Sequence, residues 1–179
     1  NLPIPSLARS SHWEIRAHAA WLAGLHGKME TLRLLLKDSD PFVRRRAAEA
    51  LTRHASLPFL PDIHAALNDT DRSVQYAATI ALSHLPTESW FLKLSESANI
   101  QTVLRALTAA HLRNEKLSQE SVQKAFAIVV ARQSMASYSP RIKRLTREDS
   151  LDFLRLAALY KKELEPTGLL VIPPVRRGF

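Results

Sequence analysis

At 179 residues the chain has room for one ordinary domain with a sizeable core, or for one modest repeat array. An apolar fraction of 46% and a charged fraction of 23% exclude a disordered chain, and no apolar run reaches the ~20 residues that crossing a bilayer requires. The net charge of +8 is uneven: residues 1–60 carry nine basic and five acidic side chains, 61–120 five and seven, and 121–179 eleven and five, which argues against one continuous nucleic-acid face.

The absence of cysteine removes disulfides, thiolate metal sites and thiol nucleophiles together. A chain that begins at Asn1 is expected to be a processed or truncated product. Its first ten residues, NLPIPSLARS, are too short and too rich in proline to form a full partner for the helix that follows. An irregular cap, or an array cut from a longer protein, is the expectation there. SSHWEIRAHAAWLAGL, residues 10–25, reads as an amphipathic helix with Ser11 and Glu14 at capping-box spacing. After the short amphipathic run KMETLRLLLKD comes DSDPFVRRRAAEALTRH, residues 38–54. There Asp40 is an N-cap and Pro41 occupies the first helical position, where a missing N–H costs nothing. LPFLPDIHAALND and then DTDRSVQYAATIALSHL, residues 69–85, repeat the arrangement, with Asp71 as the cap. TESWFLKLSESA and SANIQTVLRALTAAHL, residues 97–112, repeat it again.

The branched residues that open the longer helices are Ile15, Val43, Val74 and Val103, at steps of 28, 31 and 29. A period near 30 predicts stacked supersecondary units rather than one closed core. Four glycines and no sustained alternation of apolar and polar residues make the chain all-α. Beyond Asn114 the regularity loosens. SQESVQKAFAIVVARQ and REDSLDFLRLAALYKKEL are helices of a divergent last repeat spanning 118–164, joined by SYSPRIKRL as a connector or a short helix started by Pro140. The repeat domain is thus expected over 1–165. The tail over 166–179, PTGLLVIPPVRRGF, should be extended, its apolar run at 169–172 packing back onto the body or offered to a partner.

The segment LLLKDSDPFVRRRAAEAL resembles a HEAT repeat, especially the short HEAT-like type found in phycobilin lyase subunits and many bacterial proteins. The resemblance runs over 34–51, 67–82 and 15–25 and weakens beyond Val103. It implies a right-handed α-solenoid of about four to five stacked helix pairs, the first helix of each pair convex and the second lining the concave side. It also implies a ladder of ion pairs between neighbouring repeats. Arg44 would pair with Asp38 or Asp40, Asp69 or Asp71 would hold the matching place in the next copy, and Arg16 would take the place of Arg44 in the first. Gln75 and Leu104 depart from the pattern, so the ladder should fade toward the C-terminal half.

At ~100° per residue, Val43, Ala47, Ala50 and Leu51 form the apolar stripe of their helix, with Arg44 at one edge and Arg46 and Arg53 at the other. Arg45 points away from the stripe, with Glu49 four residues on at salt-bridge spacing. Carried through the repeats, that direction gives the columns Ala17, Arg45, Tyr76, Arg105 and Trp21, Glu49, Ile80, Ala109, with Trp13 at the rim. On a concave surface Trp13, Trp21, Arg45, Tyr76, Ile80 and Arg105 would be contact residues for a protein or peptide partner. The alternative, that neighbouring helices bury these positions, stays open.

No catalytic residue, cofactor or metal site emerges. HEAT-like deoxyhypusine hydroxylases hold iron with His-Glu pairs, and no such dipeptide occurs here. His26, His54 and His84 fall near the ends of the longer helices, where a histidine favours the helix dipole over ligation. There is no glycine-rich phosphate loop and no triad spacing. Some HEAT-like DNA glycosylases grip duplex with a basic concave surface, and Arg141, Lys143, Arg144 and Arg147 offer an anion patch, although Glu148, Asp149 and Asp152 follow at once. The expected function is a non-enzymatic protein-interaction scaffold in the cytoplasm. Nucleic-acid or anionic-lipid binding through 141–147 ranks second, and a HEAT-like lyase or chaperone subunit is the remote third.

Overall fold

In a computed structural model of the chain, residues 3–136 and 145–165 are described, and their regular secondary structure is helical throughout. Short and long helices alternate as pairs: α1 (Ile4–Leu7) with α2 (Trp13–Leu25), α3 (Met29–Leu35) with α4 (Pro41–Leu51), α5 (Leu60–Leu67) with α6 (Arg72–Ser83), and α7 (Phe91–Ser95) with α8 (Ile100–Leu112). Single 3-10 turns, Leu57–Phe59 and Thr87–Ser89, lead into α5 and α7. Each short helix packs on its long partner, and α2, α4, α6 and α8 stack in sequence order, so the molecule is an all-α solenoid of two layers. It ends with α9 (Gln119–Ala136), α10 (Arg147–Leu159) and α11 (Lys161–Leu164). Both α9 and α10 pack against α8. Among the described residues no helix is long and apolar enough to cross a membrane.

Local chemistry sets the helix starts. The Asp40 carboxylate accepts from the N–H groups of Phe42 (2.8 Å) and Val43 (3.4 Å), and Asp71 accepts from Ser73 and Val74 in the same way. Asn99 does so for α8 through the Gln101 N–H at 3.0 Å. The capping box expected from Ser11 and Glu14 is not formed. α2 starts two residues after Ser11, His12 is the N-cap, and no side chain caps the helix. The Arg16 guanidinium holds this corner instead, donating to the carbonyls of Ser10 and Ser11. At the other end of α2, Gly27 takes a left-handed φ of 61° while the Lys28 N–H reaches back to the Ala23 carbonyl at 2.8 Å, closing the helix where a side chain would be strained.

Alanine lets the long helices approach closely. Ala19, Ala20 and Ala23 of α2 and Ala47 and Ala48 of α4 are fully buried, and a Cβ placed on Gly24 would lie 2.7 Å from the Ala50 Cβ. Leu32, Leu51, Ile63, Leu67, Leu82 and Leu107 fill the space between layers. Each such side chain contributes about 1.5–3 kcal/mol by leaving water. Val43, Val74 and Val103 are fully buried, whereas Ile15, their counterpart in the first unit, is 38% exposed. The physical reason is position: α2 is the first long helix of the stack and has only the one-turn α1 before it, whereas α4, α6 and α8 each follow another long helix.

Polar links tie unit to unit. Arg16 forks onto Asp38 at 2.6 and 2.8 Å, and Arg44 onto Asp69 at 2.7 and 2.8 Å, both pairs mostly withdrawn from water. Arg44 also donates to the carbonyls of Asp38 and Ser39, so one guanidinium fixes its own corner and the next. Asp40 and Asp71 are caps rather than rungs. Between the α6 and α8 units the rung has an amide in place of a carboxylate: Gln75 donates to the Asp69 carbonyl and accepts from Arg105, Leu104 is buried, and Asn68 accepts from Asn99 and Thr102. In the outer layer Arg33 donates to Asp62 at 3.1 Å and stacks 4.5 Å over Phe59, a link with no counterpart in the sequence pattern. At the far ends of the long helices the His54 Nε2–H donates to the Gly24 carbonyl at 2.8 Å and Arg113 donates to Ser83.

Candidate functional site

The long helices turn their buried stripes toward one another and toward the short helices, which leaves one face of each free. On α4 that face is Phe42, Arg45, Arg46 and Glu49, at spacings of three, four and seven. Neighbouring faces on α2 and α6 present Trp13, Trp21, Tyr76 and Ile80. Trp13 is 41% exposed, Trp21 43% and Tyr76 65%, and Ile80 is half-buried. The Trp13 and Phe42 rings meet edge to face at 5.3 Å. Ala17 and Ala109, which share the predicted columns, are buried: Ala17 under its larger neighbours, and Ala109 on α8, against which α9 and α10 close.

Three clefts follow this strip. One of about 250 Å³ between α2 and α4 is lined by Trp13, Glu14, Ala17, His18, Phe42 and Arg46. A larger one of about 660 Å³ between α4 and α6 includes Arg45, Glu49, Arg72, Tyr76 and Ile80. The third, about 340 Å³, is bounded by α6, α8 and α10, with Arg72, Tyr76, Arg105, Asp152, Leu156 and Leu159 on its walls.

One carboxylate answers two guanidinium groups at the centre of the strip. Arg45 Nε donates to Glu49 at 2.7 Å and Arg46 Nη1 to its other oxygen at 2.8 Å, leaving a net positive charge. Arg72, which borders both larger clefts, is held by Glu148 at 2.6 Å and Asp152 at 2.7 Å, both on α10. Arg105 is half-buried and donates to the Gln75 side chain. Burial pulls its pKa below the ordinary arginine value, with Asp149 and Asp152 opposing and Arg72 reinforcing that shift. Arg105 is therefore a wall of the closed end of the strip rather than a free contact. Among the described residues no hydrogen bond engages the indole N–H of Trp13 or Trp21 or the hydroxyl of Tyr76, whereas the buried Trp90 donates to Leu85 at 3.2 Å. The open surface thus offers aromatic area and unspent donors.

The sequence reading missed Phe42, Arg46 and Arg72 as members of this surface. For Phe42 and Arg46 a signal existed, because Phe42 lies three residues before Arg45 and four before Arg46 on one helix face. Arg72 gave none, since its partners are 76 and 80 residues away. Of the proposed anion patch, Arg141, Lys143 and Arg144 lie outside the described residues, as does the tail over 166–179. Arg147 is the first, exposed residue of α10. Among the described residues no three histidine or carboxylate side chains are grouped to hold a metal.

A family model described as HEAT repeats matches residues 3–83 and, in an overlapping register, residues 29–113. No curated protein matches the chain.

Proposed function

Because this chain belongs to the HEAT-repeat family, whose repeats generally mediate contacts between proteins, we propose that it is a non-enzymatic scaffold. It docks a protein or peptide segment on the face formed by the long helices, working in the cytoplasm as a module of a larger protein or complex. The observation that carries this reading is the strip of Trp13, Phe42, Trp21 and Tyr76, aromatic side chains that water alone gives no reason to align. Tryptophan, tyrosine and arginine are also the residues that concentrate binding energy at interfaces. In the outer layer the exposed apolar residues are the aliphatic Leu34, Leu57 and Leu92.

A photo-crosslinking amino acid placed at position 76 should capture a specific protein, and the same group at position 92 should not. Trp21→Ala or Tyr76→Ala should reduce that protein's retention with little dependence on salt. Binding of nucleic acid or an anionic surface through 141–147 predicts the opposite pattern. Affinity would then fall steeply with salt, it would be lost in Lys143→Ala or Arg144→Ala, and Trp21→Ala would have no effect.

A further inference from the structure

We propose that the open half of this face, from Trp13 to Tyr76, takes an acidic amphipathic segment of a partner protein, a refinement that rests on the reading above. The first support is charge. The described residues lining the three clefts include five arginines, Arg45, Arg46, Arg72, Arg105 and Arg155, against three carboxylates, Glu14, Glu49 and Asp152. Of these, Arg45, Arg46 and Arg72 face Glu14 and Glu49 in the two open clefts, an excess of one positive charge, and Arg45 and Arg46 share Glu49. The second is hydrogen-bond polarity. Two indole N–H groups and two guanidinium groups present donors beside aromatic surface, which calls for acceptors carried on apolar side chains.

The third support is built into the fold. Glu148, Asp152, Arg155 and Leu159 lie at steps of four, three and four along α10, a single helical stripe. That stripe supplies two carboxylates to Arg72 and places Asp152, Arg155 and Leu159 in the cleft with Tyr76. The C-terminal half of the face already holds an acidic, leucine-bearing helix of the chain itself. Arg72 and Tyr76 also line the larger open cleft, so the same recognition chemistry continues into the half that α10 leaves free. A nucleic acid fits less well. Duplex DNA brings about one charge per 1.7 Å, and Glu14, Glu49 and Asp152 interrupt the cations along the strip.

The test uses the full chain as bait for a displayed library of random peptides about as long as α10, with a single-stranded oligonucleotide offered separately. Selected peptides should be enriched in aspartate or glutamate together with leucine or aromatic residues. Their binding should change the fluorescence of the exposed Trp13 and Trp21, and it should weaken about tenfold or more in Arg45→Gln/Arg46→Gln. The helical circular dichroism of that variant must match the parent, and single Arg45→Gln serves if the double variant does not fold. Selection of basic or uncharged peptides that still require Trp21 and Tyr76 overturns the acidic assignment and leaves the docking face standing. Peptides that bind Trp21→Ala/Tyr76→Ala as well as the parent overturn both. Oligonucleotide binding that depends on Arg45 and Arg46, with no acidic peptide selected, assigns the face to nucleic acid and also overturns the proposal.

Discussion

Three consecutive arginines carry three different roles, and only one dihedral step separates each from the next. Arg44 lies along the seam between repeats and forks onto Asp69, Arg45 projects into the larger cleft, and Arg46 borders the cleft of Trp13 and Phe42. The rung residues act on stability through protonation. Burial by itself would raise the carboxyls of Asp38 and Asp69. The guanidinium bonds from Arg16 and Arg44, the N–H groups of Asp40 and Asp71 and the nearby arginine charge outweigh it, so both sit below the ordinary aspartate value. Because the folded pKa values are depressed, each carboxylate stabilises the fold above its unfolded pKa of about 3.9. That contribution disappears as pH falls through the folded value. Asp69→Asn should therefore cost about 2–3 kcal/mol at neutral pH, since it leaves Arg44 half-paired in a mostly dry setting. Urea titrations at pH 7 and below pH 4 should show the difference between variant and parent shrinking in acid, and an undiminished difference would contradict this account. At this scale the sequence was informative for Arg44, through a family pattern. It was less so for Arg46, because a wheel edge of one residue decides between solvent and cleft.

Among the elements, the α2–α4 pair depends on absent atoms. The contact between Gly24 and Ala50 leaves no room for a methyl group, the nearest approach being a Cβ on another rigid helix rather than a flexible tip. Gly24→Ala gains up to about 1 kcal/mol of helix propensity and loses about 1–3 kcal/mol by forcing the helices apart. A net destabilisation in thermal or urea unfolding is expected, and a gain in stability would show that α2 can shift freely. At the other end, α10 is anchored by Tyr160, whose hydroxyl donates to the Leu107 carbonyl at 3.0 Å and whose pKa burial pushes up to about 12. It therefore stays a donor at any ordinary pH. Tyr160→Phe should cost about 1 kcal/mol and raise amide exchange in α10 before that in α6. Arg72→Ala, by contrast, breaks an exposed pair that is worth at most about 1 kcal/mol, and stability should barely change. The helix boundaries of α4 and α6 were legible from Asp40 and Asp71, because N-caps act within three residues of chain. The start of α2 was not, because a guanidinium bonded to Asp38 in the next unit holds that corner in place of Ser11.

For the whole molecule, stability should grade along the array as neighbour terms are added. α4 has long-helix neighbours on both sides, with charged rungs to each. α2 has a long-helix neighbour, α4, on one side and only the one-turn α1 on the other, and the seam between α6 and α8 has a guanidinium–amide bond in place of an arginine–aspartate rung. Native-state hydrogen exchange should then be slowest in α4 and α6 and faster toward α2 and α10. Uniform protection would indicate a single cooperative unit instead.

The sequence by itself determined what is periodic: the all-α class, the step near 30 residues and the caps Asp40 and Asp71, whereas the rung partners, Asp38 for Arg16 and Asp69 rather than Asp38 or Asp40 for Arg44, were fixed by the stacking. Exposure of Trp13, Trp21 and Tyr76 was one of two open outcomes. It was decided only when stacking fixed which helix faces found a neighbour. The half-burial of Arg105, the uncovered Ile15 and the two-carboxylate grip on Arg72 were likewise tertiary decisions. Ile15 is uncovered where the array starts, and the other two arise where the repeat stops and α10 closes against α8, at contacts whose sequence separation leaves no local spacing from which to read them.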